Sequence, residues 1–189
     1  ILDAGSGPVQ YEEYKTYSSG YQKRVCLDIS IQALREARNR IGDHGLFVVG
    51  DLANLPFKKD AFDGAVSMHA IHHLALPEHP KAYAEIHRVL APGRTAAIVN
   101  GWSDPLISRM AEPFIGLLRK FSGRSAKKKK EWLSEDAPAG TFVEKMTPEW
   151  MKREIGSKMT IELKPWRGLS TRILRNFVRP FGGRAFLRI

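Results

Sequence analysis

The chain has 189 residues, 43% of them hydrophobic and 26% charged, which suits one globular domain built round a single core. Its one cysteine, Cys26, excludes an internal disulfide framework and fits a reducing compartment, so a cytoplasmic protein is expected. No apolar run approaches the roughly 18 residues of a membrane helix, and no signal-peptide pattern is present; the chain opens on a core segment without methionine, so a missing upstream stretch is expected.

The first seven residues, ILDAGSG, read as a buried strand running into a glycine turn. Gly5 and Gly7 supply positive φ and room for a ligand beside the main chain, the opening of a nucleotide-binding half of a doubly wound sheet. Residues 8–20 are predicted as the first helix and its exit, with Tyr11, Tyr14 and Tyr17 three apart and Gly20 as the stop. A second short strand, residues 24–28, ends in Asp28, which lies 21 residues after Gly7, where such folds hold a ribose diol. A carboxylate suits that task because it accepts two hydrogen bonds. The plainer role is a helix N-cap, with Asp28 or Ser30 opening residues 31–40.

That helix places Ile31, Leu34, Ala37 and Ile41 on one face. Residues 46–50 form a third strand ending at Asp51, and residues 61–69 a fourth, leading into Ala70-Ile71-His72-His73-Leu74. Residues 78–90 are a helix with Ala82, Ile86, Val89 and Leu90 on one stripe, stopped by Pro92-Gly93. Residues 95–100 are a fifth strand. Alternation of strands and helices at this pace implies a parallel sheet with helices on both faces.

The rhythm then changes. Residues 104–121 have amphipathic spacing, broken by Pro113, and residues 119–130 are strongly basic. Thr147 and Pro148 restart a helix as N-cap and first helical residue. Residues 159–165 and 184–189 read as sixth and seventh strands. The formal net charge of +10 is confined to the second half: residues 1–100 hold 11 basic and 11 acidic residues, residues 101–189 hold 19 and 9. Such a field attracts nucleic acid, phospholipid headgroups or acidic substrates, and serves equally as a solvated face that keeps the protein in solution.

Five segments stand in order: LDAGSGP, VCLDIS, VVGDLANLPF, FDGAVSMHAIHHL and EIHRVLAPGR. This set resembles the class I S-adenosylmethionine-dependent methyltransferases, especially the quinone-biosynthesis and small-molecule group, over residues 1–100 and loosely over 147–189. The resemblance implies an α/β fold, Rossmann-like and doubly wound, with a mostly parallel seven-stranded sheet and an antiparallel last strand. It divides a single domain, residues 1–189, into a cofactor half (1–100), a helical, basic lid insertion after strand five (101–146) and a closing part (147–189). It also implies a site for S-adenosyl-L-methionine, and for its product S-adenosyl-L-homocysteine, at the carboxyl ends of strands one to four. Asp3, Ala4, Gly5 and Gly7 match the glycine turn beside the methionine part. Asp28 matches the ribose acid, Ile29 the apolar neighbour of the adenine, and Asp51 with Leu52 the contacts to the adenine edge. Met68 and His69 match positions near the methionine end.

One departure stands out: Pro8-Val9 replaces the third glycine of many members, and valine cannot take positive φ comfortably. The expected consequences are a wider turn or weaker cofactor binding. A nicotinamide dehydrogenase shares the strand, turn and ribose acid, but Gln10 stands where its third glycine would fall and Asp51 would have no role.

Methyl transfer needs a positioned nucleophile and exclusion of water. For a hydroxyl acceptor a histidine base has the right unperturbed pKa. His69 and His73 are the candidate catalytic residues, with His69 preferred for its place at the strand end. The spacing of His69, His72 and His73 does not set three ligands round one ion, so no metal is expected. Ser67-Met68-His69-Ala70 lacks the Asn/Asp-Pro-Pro-Tyr/Phe pattern of exocyclic base-amine methyltransferases. The expected acceptor is a small or lipid-linked molecule, with RNA or an anionic membrane surface as partners of the basic half; a non-catalytic relative is the further alternative.

Overall fold

The computed structural model describes residues 1–101 and 146–164. The chain divides into two units, Ile1–Gly101 with Thr141–Ile161 and Trp102–Gly140 with Glu162–Ile189. The first unit carries the sheet.

Five strands, β1 (Leu2–Ala4), β2 (Arg24–Asp28), β3 (Gly45–Val49), β4 (Ala65–Met68) and β5 (Ala96–Val99), are arranged in the order β3-β2-β1-β4-β5. Every pairing is parallel, with Leu2 against both Val25 and Ala65, and Ser67 against Ile98. The chain steps outward from β1 to β3, then returns to the other side of β1 for β4 and β5. Parallel crossovers are right-handed, so reversing the direction of travel moves the connecting helices to the opposite face. It also opens a crevice at the carboxyl ends of β1 and β4, where ligands bind in open α/β sheets.

The helices are α1 (Glu13–Thr16), α2 (Ile31–Ile41), α3 (His79–Val89) and α4 (Pro148–Trp150), the last running into a π-helical turn, Met151–Ile155. Leu34 and Ala37 of α2 and Ala82, Ile86 and Val89 of α3 are buried with Leu2, Ala4, Leu27 and Ala65 of the sheet. Thr147 caps α4, its Oγ1 accepting from Trp150 N at 3.1 Å, as its place before Pro148 predicts. Ser30, rather than Asp28, caps α2 by accepting from Ala33 N at 3.2 Å.

Several expectations are corrected. The first helix, expected with its exit over residues 8–20, is the single turn Glu13–Thr16, and Val9, at φ 49°, keeps the residues before it from joining the helical path. Ile31 is exposed, since α2 has only just left the sheet at that point. The fourth strand begins at Ala65 rather than residue 61: Phe62 makes an isolated bridge to Leu90, and Asp63-Gly64 separates the two. Of residues 159–165, expected as a sixth strand, the described 159–164 keep the alternation of half-buried and exposed residues but form no ladder among the described residues. Alternation shows which residues face inward; a strand also needs a neighbour to accept its hydrogen bonds. The expected seventh strand, residues 184–189, and all but the two end residues of the expected lid, residues 101–146, lie outside the described residues. Among the described residues no helix is long and apolar enough to cross a membrane.

Candidate functional site

The turn after β1 is bound to the end of β2. Gly5 N and Ser6 N both donate to Leu27 O, at 2.8 and 3.0 Å. Gly7 N donates to Asp28 Oδ2 at 2.9 Å, while Asp28 Oδ1 accepts from Ser30 N at 2.9 Å. Gly5 and Gly7 have φ 74° and 55°. A Cβ on Gly5 would fall 2.3 Å from Ala70 Cβ, so the turn lies directly against the loop leaving β4; one on Gly7 would meet nothing. Val9 adopts positive φ while 1% exposed, so burial of its side chain holds it in a conformation that valine resists. The expected widening is instead a strained, tight turn, tied further by Arg40, which donates to Pro8 O at 2.8 Å.

Beneath the turn Asp3 and Ala4 are buried. Asp3 Oδ2 accepts from Arg24 Nε at 3.0 Å and Tyr17 Oη at 2.8 Å, and pairs with the Arg24 terminal nitrogen. The Arg24 guanidinium lies 4.3 Å from the centre of the Tyr17 ring and also donates to Tyr14 O. Burial and the Asp3 carboxylate push the Tyr17 phenol well up, so Tyr17 remains the donor in this triad. Arg24 carries no role in the sequence motifs, yet an arginine at the head of an otherwise apolar buried strand demands a carboxylate partner. Asp3 and Ala4 therefore form the floor under the turn.

Round the crevice, Ile29 is 80% exposed next to Asp28. Gly50 N donates to Asp28 O at 3.1 Å, joining the ends of β2 and β3. Asp51 accepts from Ala53 N and Asn54 Nδ2, both at 2.8 Å, and Leu52 is buried with its side chain reaching toward Gly5. Met68 is half-buried at the last position of β4. His69 is exposed with φ 59°, its N–H donating to Val99 O at 2.8 Å. His73 is exposed one short helical turn later. Among the described residues no cluster of three His, Cys, Asp or Glu side chains is arranged to hold a metal ion. A cavity of about 440 Å³ lined by Lys23, Arg38, Asp43 and Leu46 lies at the amino ends of β2 and β3, the end of a parallel sheet that ligands do not use.

A methyltransferase-domain family model matches residues 2–98, which take in the glycine turn and all but the last residue of the sheet. The chain belongs to the class I S-adenosylmethionine-dependent methyltransferase family. A relative from Arabidopsis thaliana, tRNA (carboxymethyluridine(34)-5-O)-methyltransferase, is 30% identical over 140 residues, 73% of this chain and 31% of its own length. The phthiotriol/phenolphthiotriol dimycocerosates methyltransferase of Mycobacterium leprae is 33% identical over 94 residues, 49% of this chain and 34% of its own. Among solved structures, the complex between the Haloferax volcanii Trm112 methyltransferase activator and a methyltransferase superposes with a TM-score of 0.57 at 21% identity, covering 82% of this chain and 58% of that one; at that identity the likeness is one of fold. The chain spans between 31% and 40% of the length of such curated relatives.

Proposed function

We propose that this chain binds S-adenosyl-L-methionine at the β1/β4 crevice and transfers its methyl group to a small or lipid-linked acceptor. The observation that carries the reading is the Gly7–Asp28 hydrogen bond at the crevice mouth. It brings a close-approach turn and a ribose-type acid to one place. The residues fit the cofactor. Each Asp28 oxygen has one backbone donor among the described residues and a lone pair left for a diol. Exposed Ile29 offers an apolar surface to the flat base, and the missing Cβ of Gly5 is a space that any side chain would fill. Asp51 and Leu52 stand for the adenine edge, Gly5, Gly7 and Met68 for the methionine part, and Asp3 and Ala4 support the turn from below.

When bound, the cofactor supplies a sulfonium methyl group open to in-line displacement. The chain must then orient the acceptor, exclude water and, for a hydroxyl, accept its proton. His69 is assigned as that base and His73 as its neighbour. Support for a lipid-linked acceptor comes from the Mycobacterium leprae relative, whose substrates are phthiotriol dimycocerosates. Titration calorimetry with S-adenosylmethionine and S-adenosylhomocysteine tests the reading: micromolar binding, weakened in Asp28→Ala, is expected. Absence of heat with both ligands, or an Asp28→Ala variant equal to the parent, overturns it.

A second reading, RNA as acceptor, is favoured by the Arabidopsis relative and by the +10 charge lying in residues 101–189. It requires RNA affinity that falls steeply with salt and drops when the lysines at 127–130 are neutralised. Salt-insensitive or absent binding removes it.

A further inference from the structure

Two charged side chains of α3 grip the main chain of the connection from β3 to β4. Leu55 N donates to Glu85 Oε2 at 2.9 Å. Arg88 donates to Leu55 O through Nη2 at 3.1 Å and to Phe57 O through Nη1 at 2.9 Å. Both polar backbone groups of Leu55 are thus met by side chains of α3 in place of a neighbouring strand, and Pro56, next in line, has no N–H to offer. Glu85 and Arg88 also hold each other, Nε to Oε1 and Nη2 to Oε2, both at 2.7 Å. This two-point pairing sets the plane of the guanidinium. Bonds from Arg88, then from Leu55 N, keep the Glu85 carboxyl below the usual carboxylate range, so it remains an anionic acceptor. An ion pair on an open helix face does little. This one is only 22% exposed at Glu85 and 35% at Arg88, and it is committed to three backbone atoms of another segment.

We propose that Glu85 and Arg88 are positioning residues for the adenine end of the cofactor, acting through the loop that carries Asp51 and Leu52. The proposal rests on the reading of those two as the adenine contacts. The Asp51 carboxylate is aimed by its own turn: Oδ1 accepts from Ala53 N and Oδ2 from Asn54 Nδ2, both at 2.8 Å, and Asn54 N donates to Asp51 O at 3.1 Å. Leu55 is the next residue, so the turn ends where the grip of α3 begins. Burial of Leu52, Ala53 and Leu55 keeps the loop on the body of the domain. Apolar contact is non-directional, however, whereas hydrogen bonds to the main chain fix the angle at which the turn stands. An acceptor that tells an amine from a carbonyl on the edge of a base must be held in such a fixed direction.

The full chain tests this as wild type, Arg88→Met, Glu85→Ala and the conservative Glu85→Gln. The first readout, taken without ligand, is amide hydrogen exchange at Ala53 and Asn54. In Arg88→Met and Glu85→Ala it should quicken roughly tenfold or more beyond any change at the β2 amides. Glu85→Gln, whose amide oxygen still accepts from Leu55 N, should quicken it less. The second readout is calorimetric affinity for S-adenosylhomocysteine against S-inosylhomocysteine, in which a carbonyl replaces the adenine amine. Wild type should favour the adenosyl form by about tenfold or more, and that ratio should fall about threefold or more in Arg88→Met and Glu85→Ala. A merely structural pair would change stability and leave the ratio alone. Folded variants with the wild-type ratio overturn the proposal. If wild type binds neither nucleoside, or both alike, the reading of Asp51 and Leu52 fails instead. Exchange at Ala53 and Asn54 then decides by itself whether Glu85 and Arg88 hold the turn, and unchanged rates there overturn that as well.

Discussion

Gly7 N donates to Asp28 Oδ2 across 21 residues of chain, so the acid that ends β2 holds the turn that ends β1. Loss of this carboxylate therefore removes a ligand contact and loosens the turn together. A hydrogen bond to a charged group contributes about 1.5–3 kcal/mol, which is at least tenfold in affinity. Asp28→Ala is expected to weaken S-adenosylhomocysteine binding by that much or more. Asp28→Asn, which keeps one acceptor oxygen for Gly7 or Ser30, should fall between. Calorimetric dissociation constants in the order alanine, asparagine, wild type, weakest first, are the expected result; asparagine as weak as alanine would contradict it.

The two glycines of the turn are held for different reasons. At Gly7 only the backbone objects to a side chain, a cost of about 1–2 kcal/mol for an L-residue at positive φ. At Gly5 the same cost is joined by a contact of 2.3 Å with Ala70 Cβ. Gly5→Ala should accordingly lose about 3 kcal/mol or more in urea unfolding, and Gly7→Ala about half of that or less. Equal losses at both positions would show that the β4 loop yields freely.

Val9 reverses a familiar ranking. Val9→Ala gives up roughly 1.5 kcal/mol of apolar burial and keeps the positive φ. Val9→Gly gives up slightly more burial and some unfolded-state entropy, but relieves about 1–2 kcal/mol of backbone strain. Glycine should cost no more stability than alanine at this position, by urea midpoint at constant slope. A glycine variant about 1 kcal/mol less stable than the alanine variant would mean that the valine is unstrained.

These positions also show how far the sequence could be read. Alternating apolar runs and helical stripes located all five strands, α2 and α3, because burial on a two-sided parallel sheet imposes both patterns. The glycine turn, Asp28 and Asp51 drew attention in the sequence because each ends or closely follows a strand, where a doubly wound sheet concentrates its chemistry. The partner of Asp3 was not legible, because strand register, which sets Asp3 opposite Cys26 and so on the same face as Arg24, is a property of pairing and not of one segment. The response of the turn to Val9 was hidden for a related reason: intrinsic preference speaks against positive φ, and tertiary burial overrides it. The burial of His72 between exposed His69 and His73 was not legible, because it follows from the 3-10 turn and not from their spacing.

The Asp3–Arg24 pair should behave as a buried ion pair. Arg24→Met leaves the Asp3 carboxylate without its main partner and is expected to cost about 3–5 kcal/mol. Arg24→Lys is also costly, because one ammonium cannot serve Asp3, the Tyr17 ring and Tyr14 O together. Combining Asp3→Asn with Arg24→Met should cost less than the sum of the two single changes, since the second no longer strands a charge. Chemical denaturation of the four proteins gives the coupling directly, and strict additivity would rule the pairing out as an energetic unit.

Acid should destabilise the fold partly through His72. Burial, then the neighbouring His73 and His69, lowers its pKa from 6.5 to about 4. The unfolded chain therefore takes up a proton first as pH falls, and stability due to neutral His72 is complete above the unfolded value and lost between it and the folded one. At about pH 5 the loss relative to about pH 7.5 should be near 2 kcal/mol. The His72→Phe variant has no such proton to bind, while its other titrating groups are nearly unchanged. The difference in unfolding free energy between wild type and variant should thus shift by about 2 kcal/mol toward the variant on going from the higher to the lower pH. A difference that is constant across that range would mean that His72 is solvated enough to titrate as it does in the unfolded chain.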